Sequence, residues 1–151
     1  MPDTMPDTIT IHATAVALDG VGVLLRGPSG SGKSDLALRL IDGGARLIAD
    51  DQTVLVRRGD RLYAAPPAAI AGRLEVRGLG ILAVDFASDT PVAALFDLVP
   101  QQAIERLPEP MTVELLGVRL PSARLDPAAP SAAAKVRLAV RQHRGDKMAP
   151  P

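Results

Sequence analysis

The chain has 151 residues, enough for one domain with its own core, and 47% apolar residues with a mean hydropathy of +0.17 exclude a disordered polar chain. Its net charge is zero, aromatics make up 2%, and cysteine is absent. These values exclude a basic or aromatic nucleic-acid platform, disulfides and thiolate metal sites, and they leave a core of Ala, Val, Leu and Ile. No apolar run reaches bilayer length and no signal-peptide pattern opens the chain, so the sequence reads as cytoplasmic.

Taken in chain order, residues 1–8 repeat Met-Pro-Asp-Thr twice and read as a disordered tail. Residues 8–16 alternate apolar and polar, which predicts one half-buried strand. Asp19-Gly20 is a hairpin dipeptide, and residues 21–25 form the returning apolar arm. An antiparallel arm at this point predicts a mixed sheet rather than a purely parallel one.

Residues 27–34 read Gly-Pro-Ser-Gly-Ser-Gly-Lys-Ser, a full match to the phosphate-loop pattern G-x-x-x-x-G-K-[ST]. A strand precedes the loop and a helix over 34–41 follows it, the context in which the pattern has mechanical meaning. Gly27, Gly30 and Gly32 let backbone N–H groups approach phosphate oxygens; Pro28, Ser29 and Ser31 fill the positions between them. Lys33 is placed to meet the outer phosphates as a point charge, and Ser34 to offer its hydroxyl oxygen to Mg²⁺. The cofactors read from this loop are ATP and Mg²⁺.

Leu36, Ala37, Leu40 and Ile41 share one helical face, and Gly43-Gly44 ends the helix. Residues 46–49 form a short apolar strand that delivers Asp50-Asp51, the position of an acid that holds Mg²⁺ or accepts a proton from an attacking hydroxyl. His12, on the strand before the hairpin, has the spacing to hydrogen-bond Asp50; a satisfied core histidine is the plainer reading. Residues 53–57 and 61–64 predict a second hairpin. In the glycine-bearing segment 75–80, Glu75 is a candidate second metal ligand and Arg77 a candidate stabiliser of phosphoryl charge; an ordinary turn is the plainer reading. Residues 92–99 and 111–116 predict strands, Ser131 caps a last helix to about Arg141, and 143–151 read as a flexible tail. The catalytic domain is therefore expected over 9–142.

Four features together resemble the catalytic domain of the HPr kinase/phosphorylase family. His12 lies fifteen residues ahead of Gly27, the apolar arm runs directly into the loop, residues 44–51 read Gly-Ala-Arg-Leu-Ile-Ala-Asp-Asp, and residues 75–81 read Glu-Val-Arg-Gly-Leu-Gly-Ile. The resemblance implies an α/β fold: a single P-loop domain with a mixed sheet of the phosphoenolpyruvate carboxykinase type. It implies transfer of phosphate from ATP to a seryl hydroxyl of an HPr-like carrier protein, with phosphorolysis as the reverse reaction. On that likeness Asp50 is the general base with His12 near it, Ser34, Asp51 or Asp50, and Glu75 surround Mg²⁺, and Lys33 and Arg77 lie by the phosphates.

The sequence also departs from the family pattern. Longer members carry an N-terminal domain and further C-terminal helices, and this chain reads as a short, domain-only form. Residues 120–127 stand where the family has Pro-Val-Lys-x-Gly-Arg-Asn. A homo-oligomer, a small-molecule kinase and a non-catalytic ATP-binding regulator stay open at this point.

Overall fold

Asp19 (φ 52) and Gly20 (φ 84) both take left-handed backbone, which turns β2 (Ala13–Leu18) back along β3 (Val21–Arg26) in full antiparallel register. This computed structural model describes residues 7–145. Residues 1–6 and 146–151, parts of the two tails expected from the sequence, lie outside the described residues.

Helix α1 (Lys33–Asp42) follows the loop after β3, and its end is built by two glycines. Gly43 is the cap and Gly44 stands at φ 112; the Ala45 N–H reaches the Leu40 carbonyl at 3.0 Å and the Gly44 N–H that of Ile41 at 2.9 Å. This paired termination needs a residue free to adopt positive φ. The chain continues through β4 (Arg46–Ala49), the hairpin of β5 (Thr53–Arg58) and β6 (Arg61–Ala65), and the small hairpin of β7 (Arg73–Val76) and β8 (Gly80–Ala83). It closes with β9 (Thr90–Leu98), the hairpin of β10 (Met111–Leu115) and β11 (Val118–Leu125), and α2 (Ala132–Gly145).

β9 organises the sheet. One side runs parallel to β3; the other pairs antiparallel with β6 near Thr90 and parallel with β11 from Leu95 to Leu98. Among the described residues the other pairings between these strands are antiparallel, so the sheet is mixed, as the hairpin predicts. Two apolar clusters cover its faces. Val16, Val23, Leu25 and Phe96 meet α1 and α2 on one face, while Ala15, Leu24, Ile48 and Leu95 meet Leu55, Leu62 and Leu120 inside the curl of the sheet. Burial on both faces explains why β2 is buried at every position rather than at alternate ones.

Four elements differ from the sequence reading. The single strand expected over 8–16 breaks at His12. β1 (Thr8–Ile11) pairs with β5, whereas β2 pairs with β3 and β4, so the chain changes partners there. The segment around Glu75 is a hairpin whose Leu74 and Val76 are buried against α1. Strand β11 had no local signal, since Pro121 interrupts its pattern. β1 takes in Thr8 and α2 runs to Gly145, so both ends of the ordered elements reach beyond 9–142.

Candidate functional site

The phosphate loop joins β3 to α1. Gly30 and Gly32 take φ 82 and 102, and a Cβ at Gly27 would lie 2.7 Å from the Ser31 hydroxyl oxygen. Gly32 caps α1 without a side-chain hydrogen bond, so the N–H groups of the first turn are left for an acceptor in the cleft. Lys33 is buried, 5% exposed; its ammonium donates to the carbonyls of Gly27 (2.8 Å) and Pro28 (3.1 Å) and stands 3.6 Å from Asp51 Oδ1. Arg26, just before the loop, clamps Asp97 on β9 through two N–H···O bonds of 2.8 and 3.2 Å. Those bonds, and then the carboxylate charge, hold the Arg26 guanidinium above its ordinary pKa against the opposing effect of burial.

β4 delivers the two aspartates to different environments. Asp50 is 9% exposed and its carboxylate accepts three hydrogen bonds. Oδ1 accepts the hydroxyls of Ser34 (2.6 Å) and Thr14 (3.2 Å), and Oδ2 accepts the Glu75 N–H (2.9 Å). Asp51 sits at φ 69, and the Gln52 N–H bonds back to the Asp50 carbonyl at 2.8 Å, a tight three-residue turn around a left-handed residue. That turn lifts the Asp51 side chain, 55% exposed, into the cleft, where its Oδ1 lies 2.6 Å from His12 Nε2. His12 therefore bonds Asp51 and not Asp50, because the turn at Asp51 redirects the second carboxylate toward β1.

Loop, β4 and the β7–β8 hairpin enclose a cleft of about 570 Å³ lined by Lys33, Ser34, Asp50, Asp51, Glu75 and Arg77. The volume lies within the range of ligand clefts. Glu75 and Arg77 are exposed, and Glu75 touches Asp50 through its backbone. Among the described residues, no three His, Asp or Glu side chains gather as a metal cage. The expected residues thus converge, and sequence reasoning passed over Thr14. Its signal was a polar residue two positions beyond His12 in an otherwise apolar strand.

A strand–loop–helix that presents free N–H groups, a lysine and a hydroxyl beside a buried acid defines a P-loop phosphate-binding protein. The model of the HPr Serine kinase C-terminal domain family matches residues 3–89, and the chain belongs to that family. The HPr kinase/phosphorylase of Caldanaerobacter subterraneus subsp. tengcongensis is 44% identical over 85 residues, and that of Alkaliphilus metalliredigens 45% over 85. Each alignment covers 56% of this chain and 28% of the relative, so the chain matches under a third of the length of these curated relatives. The solved Hpr(Ser) kinase/phosphatase from Coxiella burnetii superposes with a TM-score of 0.83 at 26% identity, covering 93% of this chain and 99% of that one. Among the described residues, no helix is long and apolar enough to cross a membrane.

Proposed function

We propose that this domain is an ATP-dependent protein serine kinase acting on an HPr-like carrier protein in the cytoplasm, with phosphorolysis as its reverse reaction. The observation that carries the reading is the division of labour between two adjacent aspartates. Asp50 is buried and accepts three hydrogen bonds, one of them from the Ser34 hydroxyl, whereas Asp51 faces the cleft with His12 behind it.

The donor set fits Mg²⁺, a hard cation that takes oxygen ligands, keeps several waters and relies on substrate phosphates rather than a protein cage. Ser34 and Asp50 would hold it, with Glu75 at the rim. Bound there, Mg²⁺ would supply positive charge against the outer phosphates. The exposed carboxylate makes Asp51, rather than Asp50, the base in this proposal. A seryl hydroxyl is a poor nucleophile and needs a proton acceptor within hydrogen-bond reach. As the seryl oxygen bonds to the γ-phosphorus, the bond from that phosphorus to the bridging oxygen of ADP breaks, and the seryl proton passes to Asp51. His12, with its proton on Nε2, fixes the direction of that carboxylate. Lys33 exchanges loop carbonyls for phosphate oxygens, and Arg77 offers a guanidinium to the transferring group from the hairpin.

The test is incubation with γ-labelled ATP, Mg²⁺ and an HPr-like carrier. Label on a carrier serine, lost in Asp51→Asn, supports the reading. ATP binding without transfer to the carrier would leave a regulator instead.

A further inference from the structure

We propose that the wall formed by Leu38, Pro127 and Ala128 is the nucleoside subsite of the cleft, that it accepts adenine and guanine nucleotides alike, and that Arg39 is the residue that positions it. The inference rests on the reading of the loop as a triphosphate site. The cleft is chemically divided. Its polar end carries Lys33, Asp50 and Asp51; the same cleft then continues along α1 past Leu38 to Pro127 and Ala128, in the turn between β11 and α2. The wall begins where the phosphate loop ends, since a Cβ placed on Gly32 would stand 3.2 Å from two ring carbons of Pro127. A nucleotide whose phosphates lie on the loop has its nucleoside beside this surface.

The turn is not a loose connection. Arg39 of α1 donates to the carbonyls of Pro127 and Ala129, and its Nε faces Asp35 at 3.2 Å. Asp126 holds the Ala128 N–H at 2.9 Å, and Arg137 of α2 donates to the Arg39 carbonyl at 3.1 Å. Arg39 thus ties the wall to the helix that carries the phosphate loop. The side chains of the wall, Leu38, Pro127 and Ala128, carry no donor or acceptor to read a base edge, the Pro127 carbonyl already accepts from Arg39, and one carboxylate oxygen of Asp35 faces the same guanidinium. Apolar contact without a dedicated donor or acceptor discriminates weakly between ring substituents.

Calorimetric titration with ATP, GTP and inorganic tripolyphosphate, each with Mg²⁺, separates the wall from the loop. Arg39→Met keeps the aliphatic packing and removes both carbonyl bonds; Pro127→Gly lies in a surface turn and keeps the test alive where Arg39→Met fails to fold. Each variant is expected to weaken ATP by about five-fold or more and tripolyphosphate by less than about two-fold, and wild-type affinities for ATP and GTP to agree within about five-fold. Equal losses for ATP and tripolyphosphate, unchanged ATP binding in both variants, or discrimination of ATP from GTP by about 100-fold would overturn the proposal. Wild-type protein that binds neither ATP nor tripolyphosphate would instead sink the triphosphate reading beneath it.

Discussion

The hydroxyl of Thr14 accepts the backbone N–H of Asp51 at 2.9 Å. The same oxygen stands 3.2 Å from Asp50 Oδ1 as a donor, so one wholly buried side chain fixes the carboxylate of one aspartate and the left-handed backbone of the next.

Thr14→Val keeps the shape and removes both bonds, leaving the Asp51 N–H without its partner. A loss of about 1–3 kcal/mol in urea unfolding is expected. Thr14→Ser retains both bonds and is expected to recover most of it. Equal stability of Val and wild type would show that the hydroxyl contributes nothing.

Asp51→Asn and Asp50→Asn should fail differently. Loss of the proton acceptor is expected to lower kcat by about 10²- to 10⁴-fold with ATP affinity retained. Asp50→Asn instead is expected to raise the Mg²⁺ concentration needed for half-maximal ATP binding. Steady-state kinetics and a Mg²⁺ titration check both, and normal transfer by Asp51→Asn would return the base to Asp50.

Gly32→Ala places a methyl at φ 102, 3.2 Å from the Pro127 ring. The backbone strain alone is about 1–2 kcal/mol. The variant is expected to fold with a lower Tm and to bind ATP more weakly, read by thermal melting and titration. Gly30→Ala shares the strain but meets nothing within 4 Å, so it isolates the contact with Pro127.

Arg26→Gln tests the clamp between β3 and β9. Both partners are about a third exposed or more, 40% and 32%, so solvent screening limits the loss to about 1 kcal/mol. The folded-state pKa of Arg26 is raised, so its stabilisation is complete below the unfolded value and is lost only as pH rises through the folded one. The stability difference from wild type is therefore expected to be the same at pH 7 and pH 9. A difference that shrinks over that interval would contradict the assignment.

The elements legible in the sequence were those with local causes. The loop, the Asp19-Gly20 turn, the Gly43-Gly44 helix end and the strand leading to Asp50 all follow from backbone demands met within a few residues. The elements that were missed depend on partners far along the chain. β11 is a strand because it lies against β9, and the chain breaks at His12 because β1 and β2 belong to different neighbours. The choice of Asp51 over Asp50 as the partner of His12 turns on one positive φ, which residue spacing does not encode.

The place of β9 in the sheet also bears on synthesis at the ribosome. The phosphate loop is complete in sequence at Ser34, yet the strand that carries it has β9 as its parallel neighbour, and the Arg26–Asp97 clamp spans 71 residues. Loop-closure entropy delays such pairing until the distant segment is present. A nascent chain stalled before residue 90 therefore carries the motif without its support, and nucleotide binding should arise abruptly once β9 has left the exit tunnel.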